Sequence, residues 1–270
     1  MAVAGQFTGA STGPDDVLLY GPGGAVDKLW AGNPDRTFTS LPASLPTAGF
    51  PVVGDFDGDG WDDLLLAAPG GIDQLRYGGP SGFSSAVTLP VAADAATLAL
   101  DVDGDGQDEL VHHRPGTAPD RIWAFTTRST FTSTVIDLGR WKGIGALPIA
   151  ADLDGNGGED LLLARSDGFA IRVPPVAGAF GPAVKAPYGG VGSPTVGDVD
   201  ANGTDDVVWV QAGSTTDWVW YGLYSGGVST AAMAISGSYR PLLADLDDSH
   251  GDDLVLVGPG STMNVWWAWR

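Results

Sequence analysis

Short apolar runs punctuate the chain at regular intervals, and each is closed by acidic residues, glycine or proline. "PVVGD", "PIAAD" and "PLLAD" lead into acidic loops, and "DVLLYG", "DLLLAA", "DLLLAR", "DVVWVQ" and "DLVLVG" leave them. A turn such as "PGG" then opens a run that carries an aromatic: "DKLWAG", "DQLRYGG", "RIWAFT", "WVWYG" or "NVWWAW". A polar turn and an apolar residue follow (Phe38, Phe83, Phe131, Phe180, then Val228), with a weaker run such as "SSAVTLP" behind them. Runs this short, with turn residues between them, predict four antiparallel strands per unit.

The unit repeats. "GDFDGDGWDDLLLAAPG" at 54–70 returns as "ALDVDGDGQDELVHH", "AADLDGNGGEDLLLA", "VGDVDANGTDDVVWV" and "LADLDDSHGDDLVLV". A worn copy, "AGQFTGASTGPDDVLLY", comes first without most of the carboxylates. The leading aspartates Asp55, Asp101, Asp152, Asp198 and Asp245 set a period of about 47 residues. Six repeats result, at approximately 1–48, 49–95, 96–146, 147–192, 193–239 and 240–270. One four-stranded sheet cannot cover both of its apolar faces, but a ring of such sheets can. The expectation is a single all-β domain over 1–270, a β-propeller of about six blades. The last repeat stops in its third strand, so that blade is expected to be incomplete. Its open edge leaves a homodimer possible.

Composition narrows the function. With 33 acidic against 13 basic residues the formal charge is −20, which argues against nucleic acid. Cysteine is absent, so disulfides and thiolate metal sites are excluded. No apolar run is long enough to span a bilayer, so no membrane insertion is expected. No signal peptide is visible after Met1; the cysteine-free composition suits a secreted, extracellular protein.

The acids are spaced for metal. In the second repeat Asp55, Asp57, Asp59 and Asp63 occupy loop positions 1, 3, 5 and 9, Gly60 permits the turn, and Trp61 offers its carbonyl. The third repeat supplies Asp101, Asp103, Asp105, Gln107 and Glu109; the fourth, Asp152, Asp154, Asn156, Gly158 and Asp160; the fifth, Asp198, Asp200, Asn202, Thr204 and Asp206. The sixth keeps Asp245, Asp247 and Asp253 beside Ser249 and Gly251, but His250 replaces the turn glycine, so weaker binding is expected there. Hard oxygens on a flexible loop suit Ca²⁺, with about four sites and a fifth, weak one. An EF-hand needs a glutamate at position 12, where the second repeat has Leu66.

The motif "GDFDGDGWDDLLLAAPGG" resembles the FG-GAP or VCBS repeat, found in the integrin α-subunit propeller and in many exported bacterial proteins. That resemblance implies a β-propeller with Ca²⁺ in hairpin loops between the first and second strands of its blades. It also implies kinship with propeller lectins, including a mushroom lectin that binds sugars between blades. Members usually form seven blades; this chain shows six at most.

Catalytic constellations are scarce: three histidines, no cysteine, and no serine in a G-x-S-x-G setting, so no enzyme is expected. His112 falls where other repeats carry Leu19, Leu66, Leu163, Trp209 and Leu256. It is either a hydrogen-bonded core residue or part of a polar pocket with His113 and Arg114. Trp30, Tyr77, Trp123, Trp220 and Trp266 align on the third strands, with Val173 in the fourth repeat. They are either packing residues or platforms on which sugars stack. The expected function is a calcium-stabilised, non-catalytic propeller that recognises a glycan at several sites. The alternatives are a protein-interaction or adhesion scaffold, or the non-catalytic domain of a larger exported hydrolase.

Overall fold

The computed structural model describes all residues except 22, 24–26, 47, 69–72, 90–95, 117–118, 187–191, 236, 248, 259–264 and 268–270. The chain forms two compact units. The first comprises Met1–Asp101, Asp105–Ile136 and Leu246–Asp248; the second comprises Val102–Gly104, Asp137–Asp245 and Ser249–Arg270.

Every sheet is an antiparallel meander whose strands pair in chain order. In the first unit these are β1 (Ala2–Gly5), β2 (Asp16–Leu19), β3 (Lys28–Gly32) and β4 (Phe38–Pro42); β5 (Phe50–Gly54), β6 (Asp63–Ala67), β7 (Asp73–Arg76) and β8 (Val87–Leu89); and β9 (Ala96–Leu100), β10 (Glu109–His113), β11 (Arg121–Thr127) and β12 (Thr130–Val135). The second unit has β13 (Leu147–Ala151), β14 (Asp160–Ala164), β15 (Ala170–Val173) and β16 (Val184–Ala186), then β17 (Ser193–Gly197), β18 (Asp206–Val210), β19 (Asp217–Leu223) and β20 (Gly227–Met233). Its last sheet has three strands: β21 (Arg240–Ala244), β22 (Asp253–Val257) and β23 (Val265–Trp267). Five four-stranded sheets and a partial sixth therefore match the expected blade pattern.

The second strand of each sheet shows why these sequences are apolar throughout. β6 and β14 both read DLLLA and are buried at all five residues. In β6, Leu65 packs with Phe56, Leu75 and Phe125, whereas Leu64 and Leu66 point the other way, into Phe7, Leu18 and Leu29. β18 divides likewise: Val207 and Trp209 join Leu162 and Trp220, while Val208 and Val210 join Leu243 and Leu254. Side chains alternate along a strand, so a sheet covered on both faces needs apolar residues at odd and even positions alike. Each such leucine stabilises the fold by about 2 kcal/mol. The fourth strands lack this cover, and β12 is mostly exposed.

Within each unit the first strands of neighbouring sheets lie side by side, β1 by β5 and β5 by β9, then β13 by β17 and β17 by β21. A reciprocal pair of hydrogen bonds secures three of these junctions. Asp55 N–H donates to Asp108 Oδ2 at 2.8 Å, and Asp108 N–H returns to the Asp55 carbonyl at 2.7 Å. Gln6 and Asp62 repeat this at 2.7 and 2.9 Å, and Asp152 and Asp205 at 2.7 and 2.8 Å. At a fourth, Asp252 N–H donates to the Asp198 carbonyl at 2.8 Å. Each of these four joints uses the first acid of the Asp-Asp or Asp-Glu pair that ends the loop.

The joint explains a glycine. A Cβ on Gly54 would lie 2.4 Å from Asp108 Oδ2 and 2.6 Å from the Ala99 methyl; on Gly197 it would lie 1.9 Å from Asp252 Oδ2. Gly54→Ala is expected to destabilise the protein by about 2 kcal/mol in chemical denaturation, because the side chain overpacks the joint. Gly227→Ala, where no atom lies within 4 Å, serves as the control and should leave the midpoint unchanged.

Candidate functional site

The acidic loops are folded by their own first aspartate. Asp55 Oδ1 accepts the N–H groups of Gly58 and Asp59, and its Oδ2 accepts that of Gly60 at 2.8 Å. Asp152 and Asp198 take the N–H groups of positions 5 and 6 in the same way, and Asp101 takes that of Gly106. Position 6 must then enter the left-handed region: φ is +86° at Gly60, +84° at Gly106, +85° at Gly157 and +82° at Gly203. Glycine reaches that region without steric cost. His250 does so as well, at +70°, and Asp245 still caps Ser249 and His250 at 3.1 and 3.0 Å. The loss of the glycine in the sixth loop therefore leaves the turn intact.

With the first carboxylate tied to the backbone, the next ones converge. The oxygens of Asp55, Asp57 and Asp59 lie within 4.8 Å of one another, as do those of Asp101, Asp103 and Asp105, and those of Asp198, Asp200 and Asp206. The fifth loop is the clearest test of calcium. Among the described residues no basic side chain pairs with Asp198, Asp200 or Asp206, so three carboxylates share a small volume with only backbone N–H groups to offset them. This all-oxygen donor set fits Ca²⁺. Two other loops differ. Arg128 places Nε 2.5 Å from Asp57 Oδ2 and Nη2 3.2 Å from Asp59 Oδ2, and Arg172 Nη2 lies 2.5 Å from Asp154 Oδ2 and 2.7 Å from Asp160 Oδ2.

The acid at position 9 has a second task. Asp63 is buried, with Oδ1 accepting from Gly78 N–H at 2.8 Å and Oδ2 from Phe56 N–H at 2.9 Å. Asp206 does the same with Gly222 and Val199, both at 2.9 Å. Burial, opposed by those bonds, pushes Asp63 up to about 8 and Asp206 to about 7. Asp160 rises only to about 6, also through burial, because Arg172 pulls against it. At position 7 two side chains reach the preceding loop: Gln107 Nε2 donates to the Phe56 carbonyl at 2.6 Å and Trp61 Nε1 to that of Gly9 at 3.3 Å.

A further set of aspartates escaped the sequence reading. Asp27, Asp73, Asp120 and Asp217 start or precede the third strands and accept the N–H that follows the second strand, from Gly21, Ala68, Arg114 and Gln211, at 2.7–2.8 Å. Their signal was the recurring Asp behind the apolar run, hidden by turns of unequal length.

The aromatic alignment needs correction. β3 pairs Trp30 with Val17, β11 pairs Trp123 with Leu110, β15 pairs Val173 with Leu161, and β19 pairs Trp220 with Val207. The matching residue in β7 is Arg76, against Leu64, and in β23 it is Trp267, against Leu254. Tyr77 and Trp266 are thus one place out of register. The cause in β7 is a turn one residue shorter: Gly78 bonds Asp63 across 15 positions, whereas Gly32 and Gly222 reach Asp16 and Asp206 across 16. Tyr77 and Trp220 are each 2% exposed and cannot offer a ring face to a sugar. Trp30 and Trp123 are half-buried, and the Trp266 side chain lies outside the described residues. Trp123 packs between His112 and Phe131, at 5.6 and 4.6 Å. His112 and His113 are both buried, and His113 Nδ1 lies 2.9 Å from Asp120 Oδ2; the Arg114 side chain is half-buried. Both histidines are therefore buried within the fold rather than presented at its surface.

A cavity of about 310 Å³ opens elsewhere in the second unit, lined by Leu147, Ala164, Arg165, Ser166 and Trp209 with the backbone of Gly145 and Gly192. Trp209 is 2% exposed and packs at a tilt against Trp220, with ring centroids 4.8 Å apart, yet among the described residues its Nε1–H has no hydrogen-bond partner. Buried indole N–H groups ordinarily find an acceptor. Sequence reasoning missed this site because its residues come from the ends of four separate elements.

Residues 55–112 match the model of the FG-GAP-like repeat. By sequence, no curated protein matches. Among solved structures, the Photorhabdus luminescens Tc holotoxin pore aligns over 98% of this chain at 18% identity and a TM-score of 0.63, and the chain spans 14% of that toxin chain. An Agrocybe aegerita lectin, solved for recognition of non-reducing terminal N-acetylglucosamine, aligns over 95% of this chain and 74% of its own at 19% identity, again with a TM-score of 0.63. A TcdB2–TccC3–Cdc42 complex covers 100% of this chain and 14% of its own at 14% identity and a TM-score of 0.56. The chain has a β-propeller fold and carries an FG-GAP-like repeat. None of its described helices is long and apolar enough to cross a membrane.

The joint acids also respond to pH. Burial raises Asp108 to about 8 and Asp205 to about 6, so each holds its proton more tightly folded than unfolded. That contribution is full below the ordinary carboxylate pKa and is lost as pH rises through the folded values. In EDTA the melting temperature should therefore fall between roughly pH 5 and 9. Asp108→Asn keeps an oxygen for Asp55 N–H and should flatten the upper part of the curve; a flat wild-type profile would refute the assignment.

Proposed function

We propose that this protein is a calcium-stabilised, non-catalytic propeller that binds the terminal sugar of a glycan. The observation that carries the reading is the cavity floored by Trp209, whose buried indole N–H has no partner. A hydroxyl or acetamido oxygen of a sugar supplies that acceptor. Arg165 and Ser166 at the rim supply donors to further hydroxyls, and exposed Leu147 supplies an apolar edge for the C–H face. About 310 Å³ is at the lower end of the range for small-ligand pockets. The likeness to a fungal lectin supports a ligand of this class.

Calcium belongs to the scaffold in this reading. Sites built from one short loop bind weakly and fill best at the millimolar calcium found outside cells, which suits an exported protein. Binding then adds its free energy to folding.

Immobilised-glycan screening in calcium should yield hits that end in a common sugar. Ala146 also lines the cavity, so Ala146→Trp, which fills it, should abolish binding without lowering the melting temperature. Trp209→Phe, which deletes the N–H, should weaken it about tenfold, the loss of one buried hydrogen bond. Hits that survive Ala146→Trp would place the sugar elsewhere; no hits at all would leave a protein ligand as the surviving class.

A further inference from the structure

The loops do not all balance their charge alike. Arg172 Nη2 touches Asp154 and Asp160, at loop positions 3 and 9, and Arg128 touches Asp57 and Asp59, at positions 3 and 5. These are oxygens that a dication in the same loop would need. Arg172 stands opposite Leu162 in β14; the equivalent places in other sheets hold Leu75, Ile122 and Val219. An apolar residue has thus been exchanged for a guanidinium whose side chain is 11% exposed, facing a carboxylate that is 0% exposed. Burying that charge is costly unless it is paired, and here it is paired twice.

Both arginines are held in place. Arg172 Nη1 donates to the Gly226 carbonyl at 3.2 Å. Arg128 lies 4.6 Å over the Tyr77 ring, and the Tyr77 hydroxyl donates to the Arg128 carbonyl. A third case is Arg36, whose Nη2 lies 2.5 Å from Asp247 Oδ2, although its backbone must adopt a φ of +64°. In the fifth sheet the corresponding turn presents Tyr224 instead, whose hydroxyl donates to the Asn202 carbonyl at 3.0 Å.

We propose that Arg128 and Arg172 replace calcium in the second and fourth loops, which remain metal-free while the fifth loop takes the ion. The inference rests on the calcium reading above and narrows it: loops of one sequence pattern divide into metal-bound and arginine-bound forms. A guanidinium seated on these carboxylate oxygens competes with a dication for their lone pairs and repels its charge, so removing the arginine converts one form to the other.

Radioactive calcium in equilibrium dialysis, at millimolar concentration, counts the bound ions in each variant. Asp57→Asn and Asp154→Asn are expected to leave the wild-type count unchanged, whereas Asp200→Asn lowers it by about one. Arg128→Gln and Arg172→Gln should each add about one ion, and the melting temperature of each should become more sensitive to EDTA than that of the wild type. Should Arg172→Gln fail to fold, Arg128→Gln, whose side chain is 57% exposed, gives the same readout. Loss of an ion from Asp57→Asn or Asp154→Asn overturns the proposal, as does an unchanged count in Arg128→Gln. If the wild type binds no calcium yet the arginine variants gain it, the replacement by arginine stands, and the part of the proposal that gives the ion to the fifth loop falls. If nothing binds in any variant, both fall.

Discussion

The structure depends on pairs of adjacent acids at the ends of several loops, Asp62–Asp63 and Asp205–Asp206 among them. The first reaches backward and grips the backbone of the preceding repeat; the second turns inward and ties the loop to its own third strand. Asp108 and Asp55 form the first kind of bond, and Asp63 with Gly78 and Phe56 the second. Neighbours on an extended chain point to opposite sides, so a dipeptide divides these tasks without extra length. The cost is a set of carboxylates held away from water, which is why their protons are retained to unusually high pH.

The acidic loops then handle the remaining charge by three routes: backbone N–H groups folded around the first aspartate, guanidinium groups in some loops, and an all-oxygen cage suited to a cation in others. A net charge of −20 on 270 residues would otherwise oppose compaction. Distributing the compensation loop by loop keeps each repulsion local.

Much of this was legible beforehand. The meander of four strands, the incomplete sixth sheet and the loop spacing all follow from apolar runs and acids that recur at fixed intervals. What lay hidden had specific causes. A turn shortened by one residue displaced Tyr77 from the register of Trp30 and Trp220, and counting along the chain does not reveal such a slip. The position 8 acids were visible as "DD" pairs, but their partners sit some 53 residues earlier, as with Asp55 and Asp108. The pairing of Arg128 with Asp57 left no mark on the sequence, because only tertiary packing brings the two together.

The joint between repeats reads almost nothing of its neighbour except a backbone amide, a carbonyl and room for one missing methyl. Such a hydrogen-bonded joint leaves the rest of each loop free to differ, with a tyrosine in one and an arginine in another, while the apolar faces on either side must still match. Propellers of this kind can thus diverge until their sequences are barely comparable and still assemble alike.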